Sequence, residues 1–247
     1  MAVEVAHVGS TSVPGLCAKP IIDIAVAVHS FDAQIVTQME SAGFLHRPAN
    51  DNEAQRFFII GQGEWIESHI HVVKHMSMEW RNYLNYKAYL TAFPQARRAY
   101  AALKRDLAER YPNDRNAYTE AKAPFITYTL RKAMVWSYLG MQIDGEIDRP
   151  IGYVHTKGDK TLIYPINYGY IPGVLGGDGE EMDVYLLGVD TPVEEFDAHI
   201  IAIVHREDDV EDKLIGAPEG MTFIAEEIAE AVHFQEQYYR SYVESID

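Results

Sequence analysis

The chain has 247 residues, 47% hydrophobic and 23% charged, which is enough for two domains with their own cores and excludes a disordered polymer. It shows no apolar run of membrane-span length, no basic-then-apolar leader is expected, and its single cysteine, Cys17, excludes an internal disulfide, so a cytoplasmic setting without a membrane partner is expected. The net charge of −16 is divided unevenly: residues 1–140 hold 15 Lys and Arg against 13 Asp and Glu (+2), and residues 141–247 hold 6 against 24 (−18), a balance that repels nucleic acid and suits either plain solubility or the collection of divalent cations.

In chain order, Val3–Val8 reads as a strand, and the small residues of Gly9–Gly15 read as a turn. Ile21–Val28 reads as a second strand. Its alternation puts Ile22, Ile24, Val26 and Val28 on one face and Asp23, Ala25 and Ala27 on the other. A carboxylate on a face of small residues, beside a Gly-Ser turn, suits a ligand or metal; it equally suits hydrogen bonding to the turn's own N–H groups. Ser30 is placed to cap a helix through Ala42, with Gly43 as its stop. Arg56–Ile60 and Glu67–Val73 read as strands. His69 and His71 on the latter share a face, where they can ligate a metal or make ordinary hydrogen bonds. Ser10, Asp23, His69 and His71 are therefore the candidate ligand site of this half.

Three helical patterns follow. The first runs from Ser77 to Ala92 with Trp80, Tyr83 and Leu84 inward. The second opens at Pro94 and buries Ala96, Tyr100, Leu103 and Leu107, leaving Arg97, Arg98, Lys104, Arg105 and Arg110 on a solvated basic face. Asp114–Lys122 reads as a connection, and Pro124–Leu139 as the last helix, ended by Gly140. The boundary is expected at Gly140–Gln142, giving domains 1–140 and 141–247.

The second half turns to short strands broken by Gly and Pro: Gln142–Ile147, Leu162–Tyr164, Val184–Gly188, His199–His205 and Lys213–Ala217. That spacing predicts a small closed barrel. A helical region begins at Thr222 or Phe223, with Glu226 and Glu227 in its first turn. Between the strands lies Tyr164–Gly188. Pro165 and Pro172 flank an aromatic Tyr168-Gly-Tyr170 core, and a glycine-rich turn, Gly173–Gly177, follows. Asp178, Glu180, Glu181 and Asp183 then crowd into six residues. Carboxylates this close repel unless a cation sits among them, and oxygen-only ligands suit Mg²⁺, Mn²⁺ or Ca²⁺.

This stretch resembles the active-site segment of the soluble inorganic pyrophosphatases, whose pattern is Y-P-x-N-Y-G-Y/F-I-P followed by D-G-D-x-x-D. Downstream, Asp208-Asp-Val-Glu-Asp-Lys213 resembles that family's second acidic cluster with its lysine. His233–Tyr238 resembles its C-terminal helix with a catalytic-pocket tyrosine. The resemblance implies an OB-like five-stranded β-barrel with a flanking helix, Mg²⁺ (or Mn²⁺) as cofactor, and pyrophosphate or a related phosphoanhydride as substrate. It implies metal ligands among Asp178, Glu180, Asp183, Asp208, Asp209, Glu211 and Asp212. Glu180 is implied to activate water, Lys213 to neutralise a phosphate oxygen, and Tyr168 and Tyr238 to donate hydrogen bonds to the leaving phosphate. The sequence departs from the family at Glu180, where the family has aspartate, and at Tyr239, where it has lysine. The family's arginine ahead of Tyr-Pro has no clear counterpart, with Lys157 or Lys160 as substitutes.

The first half resembles the GrpB-like family, whose fold is related to nucleotidyltransferases. The matching residues are His7–Gly15, Lys19–Asp23, His69–His71 and Ala117–Lys122. The resemblance implies an α+β nucleotidyltransferase-like domain. Position 25 is alanine where that fold carries a second carboxylate, so a nucleotide-binding or remnant transferase domain is expected. The function expected for the whole is Mg²⁺-dependent hydrolysis of pyrophosphate by the C-terminal domain. The alternative is a non-catalytic metal- and phosphate-binding regulatory module. An exposed barrel edge leaves room for a homo-oligomer.

Overall fold

The computed structural model describes residues 2–32, 34–62, 65–158 and 160–246; of Lys157 and Lys160 it describes the backbone alone. The chain divides into two compact units, Met1–Ala133 and Met134–Asp247. The sequence placed the division some residues later. The difference arises because Met134, Val135, Trp136, Tyr138 and Leu139 pack into the hydrophobic core of the second unit.

The first unit is α+β. Its strands, among the described residues, are β1 (Ala2–Val8), β2 (Ile22–Val28), β3 (Leu45–His46), β4 (Gln55–Gln62) and β5 (Trp65–Lys74), in the sheet order β1-β2-β5-β4-β3. Only the central β2–β5 pair is parallel. The expected alternation of β2 holds. Ala25 and Ala27 pack with Val8, Val73 and Trp80 on one face, and Val28, Ile24 and Val26 pack with Phe58, Ile70 and Val72 on the other. Small residues on the first face leave room for Asp23 and the turn beside it.

Between β2 and β3 runs α1 (Ile35–Ser41), shorter than expected. Ser30 does not cap it; Asp32 instead accepts a hydrogen bond from the Gln34 N–H at 2.8 Å, forming a local turn. Helix α2 (Met78–Ala92) is capped as expected, its Trp80 N–H donating to Ser77 Oγ at 3.3 Å. Helix α3 (Pro94–Arg110) opens on its proline. Helix α4 (Arg115–Trp136) absorbs the segment expected to be a connection, and Pro124 lies inside it. Asp114 caps it, accepting from Ala117 N–H at 3.0 Å. Beside the proline, Phe125 stacks on Tyr100 with ring centroids 5.0 Å apart, and that packing offsets the hydrogen bond that Pro124 cannot make.

The second unit is a ring-like sheet with a helix. Its strands are β6 (Gln142–Arg149), β7 (Val154–Lys157), β8 (Lys160–Ile163), β9 (Asn167–Leu175), β10 (Glu181–Leu186), β11 (Glu195–Arg206), β12 (Lys213–Ala217) and β13 (Ser241–Ser245). The order β12-β10-β9-β6-β11 closes because β11 also pairs with β12. One end of the long β11 lies against β6 and the other against β12, while β13 adds outside as β11's further neighbour. The strand membership corrects the expectation. Leu162–Ile163 belongs to the separate β7–β8 hairpin, and the aromatic segment Asn167–Leu175, read as a rigid non-strand stretch, is the ring strand. Pro172 is tolerated there because β9 bulges: Ile171 pairs with Met182 and Leu175 with Glu181, leaving 172–174 outside the ladder.

Alternation along β10 sorts the unit into two cores. Met182, Val184 and Leu186 turn into the ring with Phe196, Ile200, Ile203 and Leu214. Tyr185 and Leu187 turn out, where helix α5 (Ala225–Glu236) covers them with Ile228 and Val232. Glu226 and Glu227 lie in the first turn of α5, as expected. Asp183 has the parity of Tyr185, so it too stands on the outer wall.

Candidate active site

The outer wall of β9, β10 and β12 brings four expected site residues together. Lys213 donates from Nζ to the Tyr168 hydroxyl at 3.0 Å and to the carboxylates of Asp183 and Glu211. Tyr168 and Lys213 are 1% and 2% exposed, so this is a desolvated cluster rather than a surface ion pair. Burial, and then the Asp183 carboxylate, push the Tyr168 phenol well above its ordinary range, which keeps it a hydrogen-bond donor. Burial opposes ionisation of Asp183, but the Lys213 ammonium outweighs it and holds that carboxyl below its ordinary value. Burial raises Glu211 to about 7, Lys213 only partly compensating, with Asp183 adding to the rise.

Glu211 is also half unsatisfied. Its Oε2 takes Lys213, but its Oε1 is buried with no hydrogen-bond partner. A Cβ placed on Gly176 would lie 3.8 Å from that oxygen and 3.5 Å from Asp178 Oδ1, so the two oxygens flank the same open point of the glycine turn. A buried carboxylate oxygen without a partner, with a second carboxylate near the same glycine, fits a hard cation with oxygen ligands. The donor set on offer is Glu211, Asp178 and Asp183. Among the described residues, however, no three acids or histidines stand in a preformed ligand arrangement, and the Lys213 ammonium occupies the space between Asp183 and Glu211.

The other expected ligands are engaged elsewhere. Asp208 accepts the Arg240 N–H at 2.9 Å on the surface. Asp209 pairs with Arg206 at 3.1 Å. Asp212 holds His205 Nδ1 at 2.8 Å and the Arg206 N–H at 3.1 Å. The physical reason is strand alternation with a turn: Glu211 and Lys213 face one side, and Asp212 between them faces the other. Glu180 lies exposed in the glycine turn, its N–H donating to Asp178 Oδ1 at 3.0 Å. Tyr238, implied to belong to a catalytic pocket, is 62% exposed.

Two arginines were missed by sequence reading. Arg149, at the end of β6, donates to the Tyr164 hydroxyl at 2.7 Å and stands 5.0 Å over the Tyr168 ring, supplying a cation ahead of the Tyr-Pro motif. The side chains of Lys157 and Lys160, named as substitutes, lie outside the described residues. Arg206 is 3% exposed and forks onto Glu236 of α5 at 2.6 and 3.0 Å, where Tyr185 also donates at 2.6 Å. Its signal was present in the sequence as a lone arginine ahead of an acidic run.

In the first unit, Asp23 Oδ1 stands 3.0 Å from His69 Nδ1 and 3.6 Å from His71 Nε2. Burial disfavours its charge, but the hydrogen bonds of these two histidines hold the carboxyl well below the ordinary range. His71 Nδ1 is taken by Gln55 and the Tyr83 hydroxyl, 3.0 and 2.8 Å away, so the trio forms a closed hydrogen-bond network rather than an open metal-ligand set. Gly9, at φ +67°, brings its turn against Asp23, and a side chain there would strike the carboxylate. Ser10 accepts from Lys104 Nζ at 2.8 Å. No helix among the described residues is long and apolar enough to cross a membrane.

The chain belongs to the GrpB family through residues 1–132, which match the model of GrpB protein, and it joins this domain to an inorganic pyrophosphatase domain, residues 136–244. It is 32% identical over 136 residues to the UPF0157 protein YqkA of Bacillus subtilis, 38% over 133 residues to a UPF0157 protein of Pseudomonas aeruginosa, and 33% over 135 residues to the glutamate-rich protein GrpB of Alkalihalophilus pseudofirmus. These matches cover 54%, 52% and 52% of this chain, and 39%, 54% and 78% of the relatives. Among solved structures, GrpB from Enterococcus faecalis superposes with a TM-score of 0.49 at 28% identity, covering 56% of this chain and 83% of that one. The inorganic pyrophosphatase from Ehrlichia chaffeensis gives 0.36 at 17% identity, covering 44% and 88%.

Proposed function

We propose that the second unit, with an OB-like barrel as its scaffold, is a phosphoanhydride hydrolase that cleaves inorganic pyrophosphate with Mg²⁺. One observation carries this reading: Asp183, Glu211, Lys213 and Tyr168 converge on one desolvated wall, and Glu211 Oε1 is left without a partner opposite Asp178. Asp178, Asp183 and Glu211 would hold the cation, which when bound neutralises phosphate charge and acidifies water. Lys213 and Arg149 offset negative charge on the phosphate oxygens. Tyr168, kept protonated, donates a hydrogen bond to the leaving phosphate without adding charge. Glu180, on the exposed turn, accepts the proton of the attacking water. The assay is phosphate release from pyrophosphate by the full chain with and without Mg²⁺. Metal-dependent release above the uncatalysed rate supports the reading, and none at any Mg²⁺ concentration rejects it.

A second reading is favoured by a specific observation. Asp208, Asp209 and Asp212 are bound by protein partners, and an ammonium separates Asp183 from Glu211. A non-catalytic metal- and phosphate-binding module fits that arrangement. It predicts Mg²⁺ binding by calorimetry without turnover. For the first unit, a nucleotide-binding or remnant transferase role is proposed, carried by Ser10, Asp23 and His69, which line one cavity.

A further inference from the structure

Lys19, Lys104, Arg115 and Lys122 line a single cavity of about 290 Å³ in the first unit, beside Ser10 and His69. Among the described residues Asp23 is the one carboxylate in that lining, and its Oδ1 is already held by two histidines. Among the described residues, Lys19, Arg115 and Lys122 have no acid within ion-pair reach; Lys122 stands 4.5 Å over the Tyr118 ring. Lys104 donates to Ser10 Oγ at 2.8 Å and to the Cys17 carbonyl at 2.6 Å, which leaves its third N–H for another acceptor. Burial pushes both Lys104 and Lys122 down from the ordinary lysine value, and the other three cations add to the effect at Lys122, while the Asp23 carboxylate opposes it at both. Four like charges around one cavity are mutually repulsive until a multivalent anion enters.

We propose that this cavity is a phosphate cradle: Lys19, Lys104, Arg115, Lys122 and the Ser10 hydroxyl hold the phosphate groups of a nucleotide. The chemistry selects phosphate, because a planar guanidinium, three ammoniums and a hydroxyl match several oxygens carrying more than one charge. An adjoining cavity of about 520 Å³ shares His69, Arg115 and Thr119; its other lining residues are Phe57, Ile59 and Ile66 on one hand and the polar Arg47, Asn50, Asn116 and Glu120 on the other. It takes the ligand's organic part, with the three apolar side chains for a ring face and polar groups around them. His69, fixed by Asp23 through Nδ1, stands between the two cavities and keeps Nε2 for the ligand. The nucleotide assignment rests on the reading of the first unit given above; the phosphate assignment does not, and neither depends on hydrolysis in the second unit.

The experiment is calorimetric titration of the full chain with ATP, inorganic phosphate and adenosine, in EDTA so that no divalent ion bridges ligand to the second unit. ATP is expected to bind and adenosine to bind far more weakly. Arg115→Gln, Lys122→Gln and Lys19→Gln are each expected to weaken ATP about tenfold, the loss of one charge-assisted hydrogen bond, with far-UV circular dichroism unchanged. Asp183→Asn is expected to leave ATP affinity as it was. Binding of inorganic phosphate but not ATP, lost in the same three variants, supports the cradle and removes the nucleotide. Affinity unchanged in all three variants, adenosine binding as tightly as ATP, loss in Asp183→Asn instead, or no binding of either phosphate-bearing probe overturns the cradle.

Discussion

The two units handle charge in opposite ways. In the second, which carries the −18, several acids at the ring wall are matched internally: Asp183 and Glu211 by Lys213, and Glu236 and Asp209 by Arg206. In the first, which is nearly neutral overall, four cations surround a cavity whose single carboxylate is already committed. Net charge therefore says little about where charge is left unsatisfied. Most acids of the second half are left to solvent; at its ring wall, among the described residues, Glu211 Oε1 is the buried carboxylate oxygen without a partner, while the first half gathers unpaired cations around one cavity.

The largest effect that tests this contrast is at Arg206. Arg206→Met should destabilise the second unit by about 3–5 kcal/mol, because Glu236 is left charged and buried without its partner. Replacing both, as Arg206→Met with Glu236→Leu, should recover most of that loss. Urea unfolding of the parent, Arg206→Met and the double variant measures it, and an Arg206→Met variant as stable as the parent would show that the pair is not desolvated. Next come the two carboxylates beside Lys213. Asp183→Asn and Glu211→Gln should each lower pyrophosphate hydrolysis by at least about a hundredfold if they hold the cation, comparable to or larger than the effect of a supporting residue. Unaltered Mg²⁺ titrations in both would mean that Lys213, not a metal, is their working partner.

A smaller change is expected at the exposed turn. Glu180→Asp restores the residue of the related pattern and shortens the side chain by one methylene. It should raise the hydrolysis rate about tenfold, which requires only about 1.4 kcal/mol off the barrier; a fall in rate would show that the pocket is adapted to glutamate. The smallest effect separates the two tyrosines. Tyr168→Phe removes a buried hydroxyl bonded to Lys213 and should slow turnover. Tyr238→Phe alters a side chain that is 62% exposed and should leave stability within about 0.5 kcal/mol of the parent and turnover nearly unchanged. The reverse order would return Tyr238 to the catalytic pocket.

By itself the sequence determined the division into a mixed α/β half and a strand-rich half, the two faces of β2, the Ser77 cap, and the pairing of an acidic turn with a lysine-bearing strand. These are local quantities: a period of two, a hydroxyl two or three residues ahead of an N–H, a composition. It also held the motifs by which both domains are related to known families. Tertiary structure decided the rest. Asn167–Leu175 becomes a ring strand because Gly169 lets its backbone press against the Glu146 carbonyl, where any side chain would clash, and because Pro172 falls in a bulge. Pro124 stays within α4 because Phe125 stacks on Tyr100. Of the acids at 208–212, strand alternation and distant partners send Asp212 to His205, Asp209 to Arg206 and Asp208 to Arg240, leaving Glu211 at Lys213. The basic cavity joins residues 19, 104, 115 and 122, which lie far apart in the chain. Proximity between distant segments is set by how the cores pack, and no local pattern encodes it.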